Sequence, residues 1–356
     1  MAPQVARPRI GVIGGGHLGR IHAKLASANL NCEIIGVADP SVDSRRLVES
    51  QLNLTTIAGY REWNGAIDGA IIAAPTFLHH EIGAWCLRHG IHVLIEKPIA
   101  STLEQTSELV QLAKSHKCTL QVGHVERFNP AWQQASTQWN GQSVRYIEAT
   151  REGTYTGRST DIGVVMDLMI HDIDLILSTI ESPVEHVHAY GWSVLGAHED
   201  FATASIHFRS GAIARLRASR ISPIPKRQMQ IYLDDSLFEI DLALGTISRT
   251  APHADVANGI RQADLLSPEL RLKVKDSLFT DWLHKVDAKA ATRNAIECEQ
   301  NEFIEAIHSS APVTVTGEHG YQALALAVQI LDQIEMNRPS RDIIPAATRF
   351  GQTRAA

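Results

Sequence analysis

Arg9-Ile10-Gly11-Val12-Ile13-Gly14-Gly15-Gly16-His17-Leu18-Gly19 reads as a buried strand that breaks into a glycine-rich turn and opens a helix. Gly14 lets the chain leave the strand in a tight turn. Gly16, lacking a Cβ, lets a pyrophosphate approach the backbone. Gly19 lets the new helix pack closely on the strand. The N–H groups at the helix start, on His17 and Leu18, sit at the positive end of the helix dipole and suit an anion. Glycine turns are common. Here the strand before, the helix after and an acid downstream together read as a dinucleotide fingerprint.

That acid is Asp39, which closes the apolar run Glu33-Ile34-Ile35-Gly36-Val37-Ala38. It stands about twenty residues beyond the glycines, where a carboxylate accepts the adenosine ribose hydroxyls. Its charge repels a 2′-phosphate and so favours NAD over NADP. Arg45 and Arg46 lie just beyond and offer a phosphate an alternative home; Asp39-Pro40 also reads as a simple turn.

The chain has 356 residues, enough for two domains. Hydrophobic residues make up 44% and charged residues 20%, as in ordinary globular proteins. The net charge of −6 and the lack of a basic run point away from nucleic acid. No apolar stretch reaches membrane-spanning length. Residues 1–8 carry no hydrophobic segment of the signal-peptide kind, and the expectation is a cytoplasmic protein. Cys32, Cys86, Cys118 and Cys298 form no paired motif and read as small apolar residues in a reducing compartment. His79, His80, His89 and His92 lie near one another, but their spacing matches no metal-ligand pattern, so no metal is expected.

The first third alternates short apolar runs with amphipathic stretches. The runs Leu54–Ile57, Gly69–Ala74, His92–Ile95 and Cys118–Val122 suit strands buried on both faces. Between them lies, for example, a helix over Thr102–His116 with Ser101 as its cap. This predicts an N-terminal Rossmann domain, residues 1–123, with a doubly wound parallel sheet. Beyond it the pattern changes. A helix is expected over Val164–Ile180, then alternating strands at Ala202–Phe208 and Ala212–Arg220 joined by a Ser210-Gly211 turn. Further strands are expected at Met229–Leu233 and Ser236–Ile240. Residues 124–356 are therefore expected to form an α+β domain with a mostly antiparallel sheet, one face covered by helices and the other free for a partner subunit. Residues 252–290 read as a solvated surface insertion, with a lid or dimer contact as the alternative. Helices over Glu299–His308 and His319–Asn337 close the chain.

Two clusters carry chemistry. Glu96-Lys97-Pro98 ends the fifth strand, beside the place where a nicotinamide would lie. The Lys97 ammonium can polarise a substrate oxygen or exchange a proton, although such a pair is more often a surface ion pair. Asp167 and His171, four apart, share a helix face in the stretch 167–174, so the carboxylate can orient the imidazole and support its charged form. A satisfied core pair is the equal alternative.

Together Val12–Gly19, Ala74-Pro75-Thr76-Phe77-Leu78-His79, Glu96-Lys97-Pro98 and Asp167-Leu168-Met169-Ile170-His171 resemble the glucose–fructose oxidoreductase/inositol dehydrogenase (Gfo/Idh/MocA) family, in order along nearly the whole chain. The resemblance implies catalytic roles for Lys97, Asp167 and His171. It implies a cofactor cleft lined by Pro75, Thr76, His79 and Glu96, and a homodimer or homotetramer built through an open sheet. Residues 122–130, 158–167 and 218–223 resemble the branch containing UDP-N-acetylglucosamine 3-dehydrogenases, which work with a partner aminotransferase. That resemblance implies oxidation of a sugar 3-hydroxyl to a ketone. Arg127, Arg158 and Arg220 then become candidates for a substrate diphosphate, with structural ion pairs as the competing reading for each. The rival functions are a dehydrogenase of a free sugar, inositol or sugar acid, and a cofactor-binding regulator without turnover.

Overall fold

The computed structural model describes residues 7–139, 143–157 and 162–337. The first part is strand β1 (Arg9–Ile13), helix α1 (His17–Ala28), β2 (Glu33–Ala38), α2 (Val42–Leu52), β3 (Thr56–Ile57), β4 (Gly69–Ile72), α3 (Thr76–Arg88), β5 (His92–Glu96), α4 (Leu103–His116) and β6 (Leu120–Gly123). These strands form one parallel sheet in the order β3-β2-β1-β4-β5-β6. Residue alternation assigns its two faces. Ile10, Val12, Ile71 and Leu94 join the core under α1 and α2. Ile13, Ala70, Ile72, Val93 and Ile95 join the core under α3 and α4. The strand order reverses between β1 and β4, so a crevice opens beyond their carboxyl ends.

The second part runs through α5 (Pro130–Ser136), β7 (Val144–Thr154), a π-helical turn (Val165–Met169) that leads into α6 (Ile170–Thr179), β8 (Val184–Trp192), β9 (Phe201–Phe208), β10 (Ile213–Ser219), β11 (Ile221–Leu233), β12 (Leu237–Asp241) and β13 (Thr246–Pro252). It continues with α7 (Ala254–Ala257), α8 (Pro268–Ser277), β14 (Leu283–Lys289), α9 (Ala295–Ser309) and α10 (Gly317–Met336). Its sheet has the order β14-β13-β12-β11-β7-β10-β9-β8. All neighbours are antiparallel except β7 and β10. Inward residues such as Ile147, Ile206, Leu216 and Ile231 pack against Ile173 and Ile176 of α6 and Ile330 of α10. On the opposite face Tyr190 and Trp192 of β8 are exposed. Among the described residues no helix is long and apolar enough to cross a membrane.

Local expectations need three corrections. The helix expected over Val164–Ile180 begins instead as the π turn. The cap of α4 is Thr102, whose hydroxyl accepts the Gln105 N–H at 3.3 Å, one residue after Ser101. Residues 252–290 are not a bare loop. They hold α7 and α8 and end in β14, which pairs with β13 as an edge strand. Its polar composition suits an edge, and its pairing is invisible to a local reading.

Helix α9, late in the chain, crosses back to the first sheet. Phe303 and Ile304 are buried in one core with Ile10, Val12 and Ile71. Phe303→Ala should therefore destabilise the first sheet by about 3–5 kcal/mol, read as a shift of the chemical unfolding midpoint. An unchanged midpoint would show that α9 is an appendage.

Candidate active site

At the crevice the glycine turn is built as its spacing predicts. Gly14 has φ +107, and a Cβ there would meet the Ala73 carbonyl oxygen at 2.5 Å. A Cβ on Gly19 would lie 1.8 Å from the Gly14 oxygen, so α1 can pack on β1 only with glycine there. Gly16 differs: a Cβ would meet nothing within 4 Å. The space beside it is open, and it lies at the N-terminus of a twelve-residue helix with no acid in its first turn and no side-chain cap. The His17 and Leu18 N–H groups belong to that turn. These features fit the pyrophosphate of a dinucleotide. Asp39 stands beside them: its carboxylate accepts the Gly15 N–H at 2.6 Å and the Ser41 N–H at 2.8 Å. Arg45 is turned away onto the Asp39 and Pro40 carbonyls at 2.7 and 3.0 Å.

Pro75 caps α3 and Thr76 begins it, at the carboxyl side of β4. His79, one turn later, is buried, with Nδ1 2.8 Å from the Pro98 carbonyl and Nε2 2.8 Å from the Ala74 carbonyl. It shapes the cleft by clamping together the loops after β4 and β5. Glu96 is also supported from behind. His22 of α1 reaches its carboxylate with Nε2 at 2.8 Å, and the Gln300 amide of α9 bonds His22 Nδ1 at 2.7 Å. Glu299 lies in the same pocket, fully buried, and burial drives its carboxyl pKa well above the ordinary range. Neither His22 nor Gln300 has a sequence signal of its own, because His22 lies 74 residues from Glu96 and 278 from Gln300.

Lys97 emerges at the end of β5 and spans to the second part of the chain. Its Nζ donates to the Asp167 backbone carbonyl at 2.6 Å and to its carboxylate at 3.1 Å. Asp167 lies on the π turn. That turn is held at its start by Glu199, which accepts the Val165 N–H at 3.0 Å and packs so closely on Gly163 that a Cβ would lie 2.0 Å from its oxygens. The expected Asp167–His171 pairing is thus corrected. The i,i+4 argument assumes α-helical winding, and the π turn has a wider one. Asp167 orients Lys97. His171, on the first turn of α6, has a buried Nδ1 with no hydrogen-bond partner among the described residues. Burial first, then the charges of Lys97 and Arg151, hold its pKa well below 6.5, so the imidazole is neutral at pH 7.

The arginine candidates fare differently. Arg127 is committed to Asp174, with Nε at 2.6 Å from one carboxylate oxygen and Nη2 at 3.1 Å from the other. Arg220 bonds Asp200 at 2.6 Å and the Ile162 carbonyl at 2.9 Å, with its guanidinium 5.6 Å from the Tyr155 ring. Both act as structural ion pairs here, the competing reading for each. Arg158 lies outside the described residues. A triad stands behind His171: Arg151 bonds Asp172 at 2.8 and 3.1 Å and Glu126 at 2.7 Å, all buried. Burial opposes the Arg151 charge, yet the two acids raise its pKa above the ordinary value. Acids on an apolar helix, as Asp172 and Asp174 are, were the one clue to these pairs.

Residues 8–124 match the oxidoreductase family with an NAD-binding Rossmann fold, and residues 122–240 match the Gfo/Idh/MocA C-terminal domain. The chain belongs to the Gfo/Idh/MocA oxidoreductases. It is 32% identical to UDP-N-acetylglucosamine 3-dehydrogenase of Acidithiobacillus ferrooxidans, across 92% of this chain and 97% of that one. A solved structure of that enzyme superposes with a TM-score of 0.81 at 30% identity, covering 93% of this chain and 99% of the other. Myo-inositol 2-dehydrogenase of Thermotoga maritima is 24% identical over 93% and 97% of the two chains. The protein is therefore an oxidoreductase with an NAD-binding Rossmann fold.

Gly16→Val should keep the melting temperature of the parent, because its side chain enters open space, and should weaken dinucleotide affinity at least about tenfold. Calorimetry with NAD reads the effect; undiminished affinity would mean that the pyrophosphate lies elsewhere. A second expectation concerns acid. Burial lowers the pKa of His79, His124 and His171 below the 6.5 of the free side chain. The unfolded chain takes up protons there while the folded one does not. Stability is thus full above pH 6.5 and falls as pH drops below it. Melting temperatures between pH 8 and 5 should show this slope, shallower in His171→Asn.

Proposed function

We propose that this enzyme oxidises a secondary hydroxyl of a nucleotide sugar to a ketone, the 3-hydroxyl of UDP-N-acetylglucosamine in first place, with NAD as acceptor. The observation that carries the reading is the Lys97 ammonium held against Asp167 near a neutral, half-buried His171. An ammonium has three donors. Asp167 engages two of them, leaving one for the reacting oxygen. There Lys97 stabilises the charge that develops as the hydroxyl loses its proton. The neutral imidazole of His171 is a base able to take that proton. When bound, the nicotinamide accepts the hydride that leaves the same carbon. Asp39 supports NAD over NADP, because a carboxylate at the glycine turn repels a 2′-phosphate and Arg45 is occupied by carbonyls.

The sugar assignment is supported by the relative that shares 32% identity along nearly the whole chain. The 3-keto product suits a partner aminotransferase, and the enzyme works in the cytoplasm as a dimer or tetramer built on the exposed sheet face.

The assay is NADH formation with UDP-N-acetylglucosamine, run with free N-acetylglucosamine and myo-inositol as comparisons. NADH from the nucleotide sugar alone is expected, and turnover of inositol alone would overturn the sugar assignment. Lys97→Ala should lower kcat about 10²–10³-fold with NAD affinity kept. Undiminished turnover would remove Lys97 from the chemistry.

A further inference from the structure

Arg127 and Arg220 are committed to Asp174 and Asp200, and Arg151 to Glu126 and Asp172. None of these guanidiniums is open to a phosphate without breaking a buried pair. Arg227 is different. It lies on β11 directly opposite Arg151 of β7, in a register that runs without a break from Lys226 to Tyr232. Strand alternation puts it on the same face as the buried Met229 and Ile231, the face covered by α6. Where the strand passes beyond that cover, Arg227 is exposed. Among the described residues its side chain has neither an ion pair nor a hydrogen bond. Only its backbone is engaged, accepting the Leu242 N–H at 2.8 Å.

Two arginines directly across a pair of strands repel one another. Arg151 escapes by way of its two acids. Arg227 makes no ion pair with those acids, and its charge acts on Glu126 and Asp172 only beyond salt-bridge distance. Its field reaches the site, since it helps to depress the His171 pKa and to keep Glu126 ionised. Its cross-strand partner Arg151 bonds Asp172, the residue next to His171 in the chain, so the strand carries Arg227 past the same end of α6. In a nucleotide sugar, the phosphate ester on the anomeric carbon is one ring away from the 3-hydroxyl.

We propose that Arg227 is a specificity-determining residue, binding the diphosphate of the substrate and so placing the sugar hydroxyl at His171 and Lys97. This rests on the nucleotide-sugar reading above. A planar guanidinium with free donors grips phosphate oxygens in pairs, whereas an uncharged sugar or inositol offers it no anion. Arg227 would thereby separate nucleotide sugars from the polyols that other members of the family oxidise.

The test uses the full chain, with UDP as a binding probe and UDP-N-acetylglucosamine as substrate, in Arg227→Gln and Arg227→Lys. UDP affinity in Arg227→Gln should fall about 10–100-fold, the range for losing a hydrogen bond to a charged group. KM for the nucleotide sugar should rise to match, so that the loss falls on KM rather than kcat. Arg227→Lys should recover part of it, and NAD affinity should hold in both variants. UDP affinity unchanged in Arg227→Gln, with a lowered melting temperature or a shifted pH profile instead, would make Arg227 a counter-charge for Glu126 and Asp172 and overturn the proposal. A parent protein that binds neither UDP nor UDP-N-acetylglucosamine would overturn the nucleotide-sugar reading itself, and this proposal with it.

Discussion

The bond from the Lys97 ammonium to Asp167 joins the two parts of the molecule at the point where chemistry is possible. One end is set by a parallel sheet, the other by a helical turn that covers a different sheet. Each end has its own anchor. Glu96 beside Lys97 is held through His22 and Gln300, which tie α1 and α9 to the end of β5. The Asp167 turn is held by Glu199, whose carboxylate fits only because residue 163 is glycine. A displacement of either anchor would move the Lys97 ammonium relative to Asp167 and His171.

Charge is handled by pairing under burial. Arg151, Glu126 and Asp172 form a closed set behind the site, and Arg127 with Asp174 forms another. A buried charge is tolerable only when its partner is equally well placed, so these pairs specify where elements meet more than they stabilise the fold. Arg151 has a further effect on His171, which is half-buried near Lys97 and Arg151 and is kept neutral.

The glycine turn, the acid closing β2 and the alternation of strand and helix were legible in the sequence because each is a local matter. A turn needs glycine where φ is positive, and a strand buried on both faces needs an unbroken apolar run. Lys97, Asp167 and His171 were also nameable one by one, whereas His22, Gln300 and Glu199 were not. The mutual arrangement of the first three was not legible. Asp167 and His171 are four apart, which implies contact only in an α-helix, and the π turn sends the carboxylate to Lys97 instead. Whether Arg127 was an open cation or half of an ion pair stayed undecided in the sequence, because Asp174, 47 residues away, is brought to it only by the fold. Residues 252–290 looked like loop because the pairing of β14 with β13 depends on a neighbour that local patterning does not reveal.

From the sequence by itself follow the dinucleotide-binding half, the second sheet and the candidate residues Lys97, Asp167 and His171. Those follow because periodicity and glycine geometry act over a few residues. Only the tertiary structure decided which acid holds Lys97 and which arginines near it are already committed to acids. Hydrogen bonds and ion pairs are made between residues distant in the chain, and their reach of about 3 Å is set by packing rather than by spacing.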